Sequence, residues 1–163
     1  MILTPRLQKV ALLAHVTTSV GWIGAVASFF VLAIAGLTST DPQIVRGAYL
    51  GMDLTTRFVI VPLALASLLT GLVSSLGTTW GLFRYYWVLV KVVMTVPATI
   101  VLLIHLQPIG HLAQVALETT LFSSDVDRLR VQLLAAAAAA IVVLLVITAL
   151  SVYKPRGRTR FSI

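Results

Sequence analysis

Few side chains in this chain can carry chemistry: His15, His105 and His111, the cations Lys91 and Arg57 at the edges of apolar stretches, and Trp22 deep within one. Neutral imidazole is a common ligand of haem iron and of copper, so the three histidines are the candidate metal ligands. Cysteine is absent, which excludes disulfides, iron–sulfur clusters, thiolate metal sites and covalently attached c-type haem. Three histidines without cysteine also make a poor structural zinc site. Met1, Met52 and Met94 are too few to line a copper path; Met94 alone is a candidate axial ligand, with core packing as its ordinary role. No carboxylate interrupts the apolar stretches, which argues against a carrier moving protons on Asp or Glu. There is no Walker loop and no GxGxxG sequence.

Spacing sorts these residues by depth. His15 lies six residues beyond Lys9, roughly 9 Å deeper along a helix. Steps of three, four and seven put Thr18, Ser19 and Trp22 on its face, with Ala25 continuing the stripe. An imidazole among small residues beside an indole suits a buried planar cofactor, and equally suits a histidine hydrogen-bonded to another helix. Arg84, Trp87, Lys91, Met94, Thr95, Ala98, Leu102 and His105 form a second stripe, with Lys91 and His105 roughly 21 Å apart along the axis. Lys91 either faces the bundle or snorkels to the interface. His15 and His105 therefore fall at different levels, and two sites follow. An inner site would use His15 with Lys91, Arg84 or Lys9 beside the anionic edge of a cofactor. An outer site would use His105 or His111, with Arg57 or Arg46 in that supporting role. Pro108 and Gly110 are expected to break the helix, turning His111 back toward His105 or leaving it in solvent. The ordinary role of Arg57 is a helix-end anchor.

The elements that position these groups belong to a membrane protein. Apolar residues make up 59% and charged residues 10%, with mean hydropathy +1.03. A soluble domain carries about 25% charge, so a water-facing surface cannot be assembled here. Uncharged stretches at 10–40, 58–83, 92–117 and 131–153 each exceed the roughly 20 residues that span about 30 Å of hydrocarbon. They predict helices near 7–36, 57–77, 85–106 and 129–153. Ala33-Ile34-Ala35 resembles a signal-peptide cleavage site, but the preceding apolar run is too long for one, so it counts as the first helix.

Arg6, Lys9, Arg84, Lys91, Lys154, Arg156, Arg158 and Arg160 gather at one face without an acid. Asp41, Asp53, Glu118, Asp125 and Asp127 gather at the other, beside Arg46, Arg57, Arg128 and Arg130. The positive-inside rule then gives an all-α membrane protein: a four-transmembrane-helix antiparallel bundle with both termini cytoplasmic. Trp80, Tyr85, Tyr86 and Trp87 make an inner interfacial belt. The net charge of +7 reads as topology, not nucleic-acid binding, and the tail 154–163 as a basic cytoplasmic anchor with incidental affinity for anionic lipid. The implied partner is the lipid bilayer.

The connections carry structure of their own. Asp41-Pro42 predicts a capped short surface helix over 42–53. Ser124 and Asp127 resemble a capping box that starts the last helix near 125. Leu112, Val115 and Ala116 keep helical spacing past the expected break and suggest an interfacial segment. Ser67, Thr70, Gly71, Ser74 and Ser75 form a small stripe on the second helix, and Ala135 to Ala140 strip the last helix of bulk. Close helix packing is the ordinary use of such faces, and a flat cofactor or a homo-oligomer contact the sharper one.

Certain strings carry a resemblance. Leu13-Ala14-His15 with Gly21-Trp22-Ile23-Gly24-Ala25, Val61-Pro62-Leu63, Thr70-Gly71-Leu72, and Tyr86-Trp87-Val88-Leu89-Val90-Lys91 together resemble the CopD-like integral membrane superfamily. The chain looks closest there to an uncharacterised four-helix family, and the likeness covers roughly residues 8–112. Copper-resistance membrane proteins and the HemJ-type protoporphyrinogen oxidase are relatives in that group. The latter is similar in its first-helix histidine before a Trp/Gly motif and its third-helix lysine. The resemblance implies b-type haem and haem-related roles for His15 and Lys91; it assigns nothing to His105 or His111.

The expectation is a membrane-embedded b-type haem protein of the bacterial inner membrane, acting in electron transfer, redox sensing or haem handling. His15 and His105 are the favoured axial ligands at separate sites, which allows one or two haems per chain. A quinone or respiratory-chain protein is the expected electron partner. The alternatives are HemJ-like porphyrinogen oxidation, copper transport or resistance, and a cofactor-free scaffold.

Overall fold

The computed structural model of the chain describes residues 3–77, 82–118, 124–155, 157 and 159. Trp80, Arg156, Arg158 and Arg160, named above for the belt and tail, lie outside the described residues, as do the side chains of Ser124 and Asp125. Five α-helices occur among them: α1 (Pro5–Thr38), α2 (Pro42–Thr55), α3 (Val61–Leu76), α4 (Tyr86–Leu117) and α5 (Ser124–Tyr153). A π-helical turn, Thr56–Ile60, joins α2 to α3 without interruption. Four helical rods result, each long and apolar enough to cross a membrane: α1, α2–α3, α4 and α5. Phe58, Val31 and Val142 stand more than half exposed on their outer faces, a surface suited to lipid and not to water.

Asp41 caps α2 as its sequence requires, accepting a 2.8 Å hydrogen bond from the Gln43 backbone N–H. That segment is not a separate surface helix, however. Val45, Ala48, Tyr49 and Met52 are buried, and α2 packs on both α1 and α4. Its continuation into α3 has a local reason. Pro62 has no N–H for the carbonyl four residues back, and its ring crowds that carbonyl. In the wider π-turn just before it, the Val61 N–H reaches the Thr56 carbonyl.

The expected break in α4 does not occur either. The helix runs through Pro97 and Pro108 to Leu117. Ile109, Leu112, Ala113 and Ala116 are buried beyond Pro108, and α4 packs there against α2. Arg46 of α2 then donates through Nε to the Ala116 carbonyl at 2.8 Å, closing the helix end. Burial and capping offset the roughly 3 kcal/mol that an internal proline costs. The helix expected to end near 106 thus extends by three turns.

Hydrogen bonds identify the two ends of the assembly. At one, the Leu3 N–H donates to the Gly77 carbonyl at 3.0 Å, and the Thr159 N–H to the Arg84 carbonyl at 3.1 Å. The Tyr86 N–H, an orphan of the α4 start, donates to the Gly157 carbonyl at 3.4 Å. The tail reaches this position because Lys154 takes a left-handed conformation with φ 42° after α5, followed by Pro155. At the far end, Arg130 of α5 is 5% exposed and donates to the Gly36 carbonyl of α1 at 3.3 Å. It also pairs with Asp127 at 3.0 Å and stacks 5.2 Å from the Tyr49 ring centroid.

The apolar core occupies the far half, from Trp22 through Phe29 and Ala33 on α1 to Tyr49, Met52, Leu112 and Leu133. Gly36 is required there, since a methyl group on it would meet the Tyr49 ring at 2.7 Å. Gly36→Ala is therefore expected to lower stability by about 1–3 kcal/mol. Gly24→Ala, with nothing within 4 Å, should be neutral or stabilising. Thermal unfolding in detergent compares the two; equal melting temperatures would refute the close approach.

Candidate functional site

His15 sits between α1 and α3. Its Nδ1 lies 3.0 Å from the Ser67 carbonyl and 3.3 Å from Thr70 Oγ1. A carbonyl only accepts, so Nδ1 carries the proton and a neutral ring presents the Nε2 lone pair. The Thr70 hydroxyl proton is directed to the Ala66 carbonyl at 2.6 Å, which leaves its oxygen to accept from His15 as well. Ser19 and Ser67 hydroxyls pair at 2.7 Å one turn further on. The ring needs Gly71 beneath it: a methyl group there would come within 2.9 Å of Cε1. The small polar stripe of the second predicted helix is thus a cradle for one imidazole.

Lys91 lies on α4 in the same half of the bundle as His15. Its ammonium lies 5.6 Å from the centroid of Trp87, one turn earlier on the same helix. An imidazole with a fixed tautomer is the kind of nitrogen ligand that a b-type haem would take, and a lysine in the same half of the bundle would suit a propionate. The donor chemistry at this level fits the group.

Trp22 does not join that site. It is 4% exposed and lines a cavity at the bundle centre together with His105. The walls are Val26 and Phe29 of α1, Thr56 and Ile60 of the π-turn, Ala98 and Val101 of α4, and Ala136, Ala137 and Ala140 of α5. The alanine run leaves the space unfilled. His105 Nδ1 lies 2.8 Å from the Val101 carbonyl, four residues back on its own helix. This fixes the same tautomer as in His15, with Nε2 as the acceptor. The cavity holds about 90 Å³. Enclosed sites for larger organic ligands run roughly 300–1,000 Å³, so a porphyrin does not fit it as it stands.

The remaining expected partners lie apart. His111 is exposed, and six residues along an unbroken helix place it about 240° around from His105. The turn-back imagined for it is excluded by the continuity of α4. Arg57 donates through Nε to Asp53 Oδ1 at 2.7 Å, with side-chain exposures of 48% and 21%, and it does not line the His105 cavity. Arg46 is engaged with the Ala116 carbonyl. Among the described residues, no three His, Asp or Glu side chains converge in a way that could hold a metal ion. Sequence reasoning missed the buried Arg130–Tyr49 contact altogether; the i,i+3 pairing of Asp127 with Arg130 was its only local trace. Comparison with protein-family models, curated proteins and solved structures finds no match to this chain.

The Arg57–Asp53 pair rests against Gly110, where a methyl group would meet Arg57 Nη2 at 2.6 Å. A double-mutant cycle of Asp53→Asn and Arg57→Gln should give about 0.2–1 kcal/mol of coupling, as expected for a partly exposed pair. In a Gly110→Ala background the coupling should fall to zero; if it persists, contact with α4 does not set the pair's geometry.

Proposed function

We propose that this chain is a membrane-embedded b-type haem protein acting in electron transfer, redox sensing or haem handling, with His15 as an iron ligand. The observation that carries the reading is the His15 imidazole fixed between α1 and α3, its Nδ1 proton held by the Ser67 carbonyl, with Lys91 on α4 in the same half of the bundle. These are the two residues to which the CopD-like resemblance attaches haem-related roles. A bound haem would supply a reversible one-electron couple. The chain's own residues supply the rest: Ser67 and Thr70 fix the imidazole, Gly71 admits it, and Lys91 brings positive charge to the anionic edge. The cavity volume beside His105 favours one haem per chain over two.

The setting belongs to the same proposal. The bundle is antiparallel, with both termini cytoplasmic in a bacterial inner membrane. Residue 3 meets 77, 36 meets 130, 84 meets 159 and 86 meets 157, all of which support that topology. Eight of the twelve Lys and Arg residues fall toward the end that carries the termini, and none of the acids does, which supports placing that end in the cytoplasm. Electrons would pass to a quinone or a respiratory-chain protein. Homo-oligomerisation through the exposed alanines of α5, Ala135 and Ala139, completes the reading.

Oxidised and dithionite-reduced absorption spectra of the detergent-purified protein, with haem quantified as pyridine haemochrome, test it. A Soret band with sharp reduced α and β bands, near one haem per chain, is expected. His15→Ala should abolish or strongly reduce the band, while His111→Ala should leave it unchanged. Full Soret intensity in His15→Ala would remove His15 as ligand. Copper without tetrapyrrole would favour copper transport, and neither cofactor would favour a scaffold. Oxidation of a porphyrinogen, seen by complementing a strain that lacks its own oxidase, would place the chain with the HemJ-type enzymes.

Lys91→Ala should lower the haem reduction potential by on the order of 50 mV, since removing a nearby cation favours the oxidised iron. Lys154→Ala should have a smaller effect. Equal, negligible shifts would return Lys91 to an interfacial anchor stacked on Trp87.

A further inference from the structure

The cavity at the bundle centre is too small for a tetrapyrrole, yet its lining is not that of an idle packing defect. It combines two aromatic rings, Trp22 and Phe29, with one imidazole, His105. The Thr56 hydroxyl proton is committed to the Met52 carbonyl at 2.7 Å. The His105 Nδ1 proton is committed to the Val101 carbonyl at 2.8 Å, so the neutral ring presents Nε2 as an acceptor that lacks a proton of its own. In apolar surroundings such an acceptor selects a ligand with a hydroxyl donor. The volume, about 90 Å³, is of the order of apolar cavities that admit one benzene-sized ring, about 150 Å³ in a known example. Access is lateral: Val101 lines the cavity and is 49% exposed on the lipid-facing surface. Two features make the walls adjustable. The π-turn supplies Thr56 and Ile60, and Pro97 and Pro108 bracket most of the α4 lining.

We infer that this cavity is a binding site for the ring of a lipid-dissolved phenol or hydroquinone, whose hydroxyl donates to His105 Nε2. The ring enters from the hydrocarbon between α4 and α5, lies against the alanine face and meets Trp22 and Phe29. The binding rests on the cavity alone; its use as an electron partner rests on the haem reading above.

Ligand-observed fluorine NMR on the full-length protein in nanodiscs tests this, with 4-fluorophenol and fluorobenzene as probes and a haem spectrum recorded on each sample. Saturable binding of 4-fluorophenol, displaced by 1,4-hydroquinone and about tenfold tighter than fluorobenzene, is expected. His105→Phe should erase that preference. Ala136→Leu and Ala140→Leu, which fill the cavity, should weaken binding by about tenfold or more, while Ala139→Leu, on an exposed position outside the lining, should not. Quenching of tryptophan fluorescence by 4-fluorophenol, lost in Trp22→Phe, gives a readout that needs no cavity-filling variant. Equal affinity for the two probes, or quenching retained in Trp22→Phe, would overturn the assignment, because each would mean simple partition into lipid. Binding in a sample without a Soret band would leave this site standing and remove only its link to haem.

Discussion

A helix that ends near hydrocarbon must find partners for its last carbonyls, because little water is present to take them. In this protein two arginines meet that need across helix boundaries. Arg130 of α5 reaches the Gly36 carbonyl near the end of α1, and Arg46 of α2 reaches the Ala116 carbonyl near the end of α4. Each brings positive charge to the negative end of a helix dipole. Each also fixes where one rod ends relative to another. The buried Arg130 then dictates its surroundings: Tyr49 covers the guanidinium, Gly36 admits the Tyr49 ring, and Asp127 answers the charge. With those contacts in place, the apolar core between Trp22 and Leu112 has fixed walls.

The half nearer the chain termini is held differently. Buried apolar side chains are sparse there, and α1 meets α3 largely through polar groups: His15 with Ser67 and Thr70, and Ser19 with Ser67. In a medium as apolar as the side chains themselves, such bonds replace a hydrophobic driving force that lipid does not provide. Among the described residues, the ring hydrogen bonds of His15 and of His105 run through Nδ1. A tethered Nδ1 fixes the tautomer and makes Nε2 the acceptor side, the arrangement on which the proposed haem ligation rests.

The central cavity follows from two departures from regular packing. The alanine run of α5 withholds side-chain volume over nearly two turns, and the π-turn widens the opposite rod at Thr56–Ile60. Neither departure alone makes a site. Together with Trp22, Phe29 and His105 they make an apolar space with a single oriented acceptor, on which the chemistry inferred for that level depends.

The membrane class, the number of spans, the Asp41 cap and the start of the last helix could all be read from residue order, because hydropathy and capping act over a few neighbouring residues. The small stripe Ser67–Thr70–Gly71 was equally visible, though not the histidine it would cradle. What local rules misjudged were the places where burial overrode them. Pro108 and Gly110 look like a helix end until Leu112 and Ala116 pack on α2 and Arg46 closes the terminus; 42–53 looks like a surface helix until Tyr49 and Met52 are buried. Helical periodicity put Trp22 on the face of His15, but two turns of rise carry it to the level of His105 and a different set of neighbours. Residue order alone determined which side chains lie at which depth. Only the tertiary structure decided which of them meet, because a contact across helices depends on the crossing of rods that no single helix specifies.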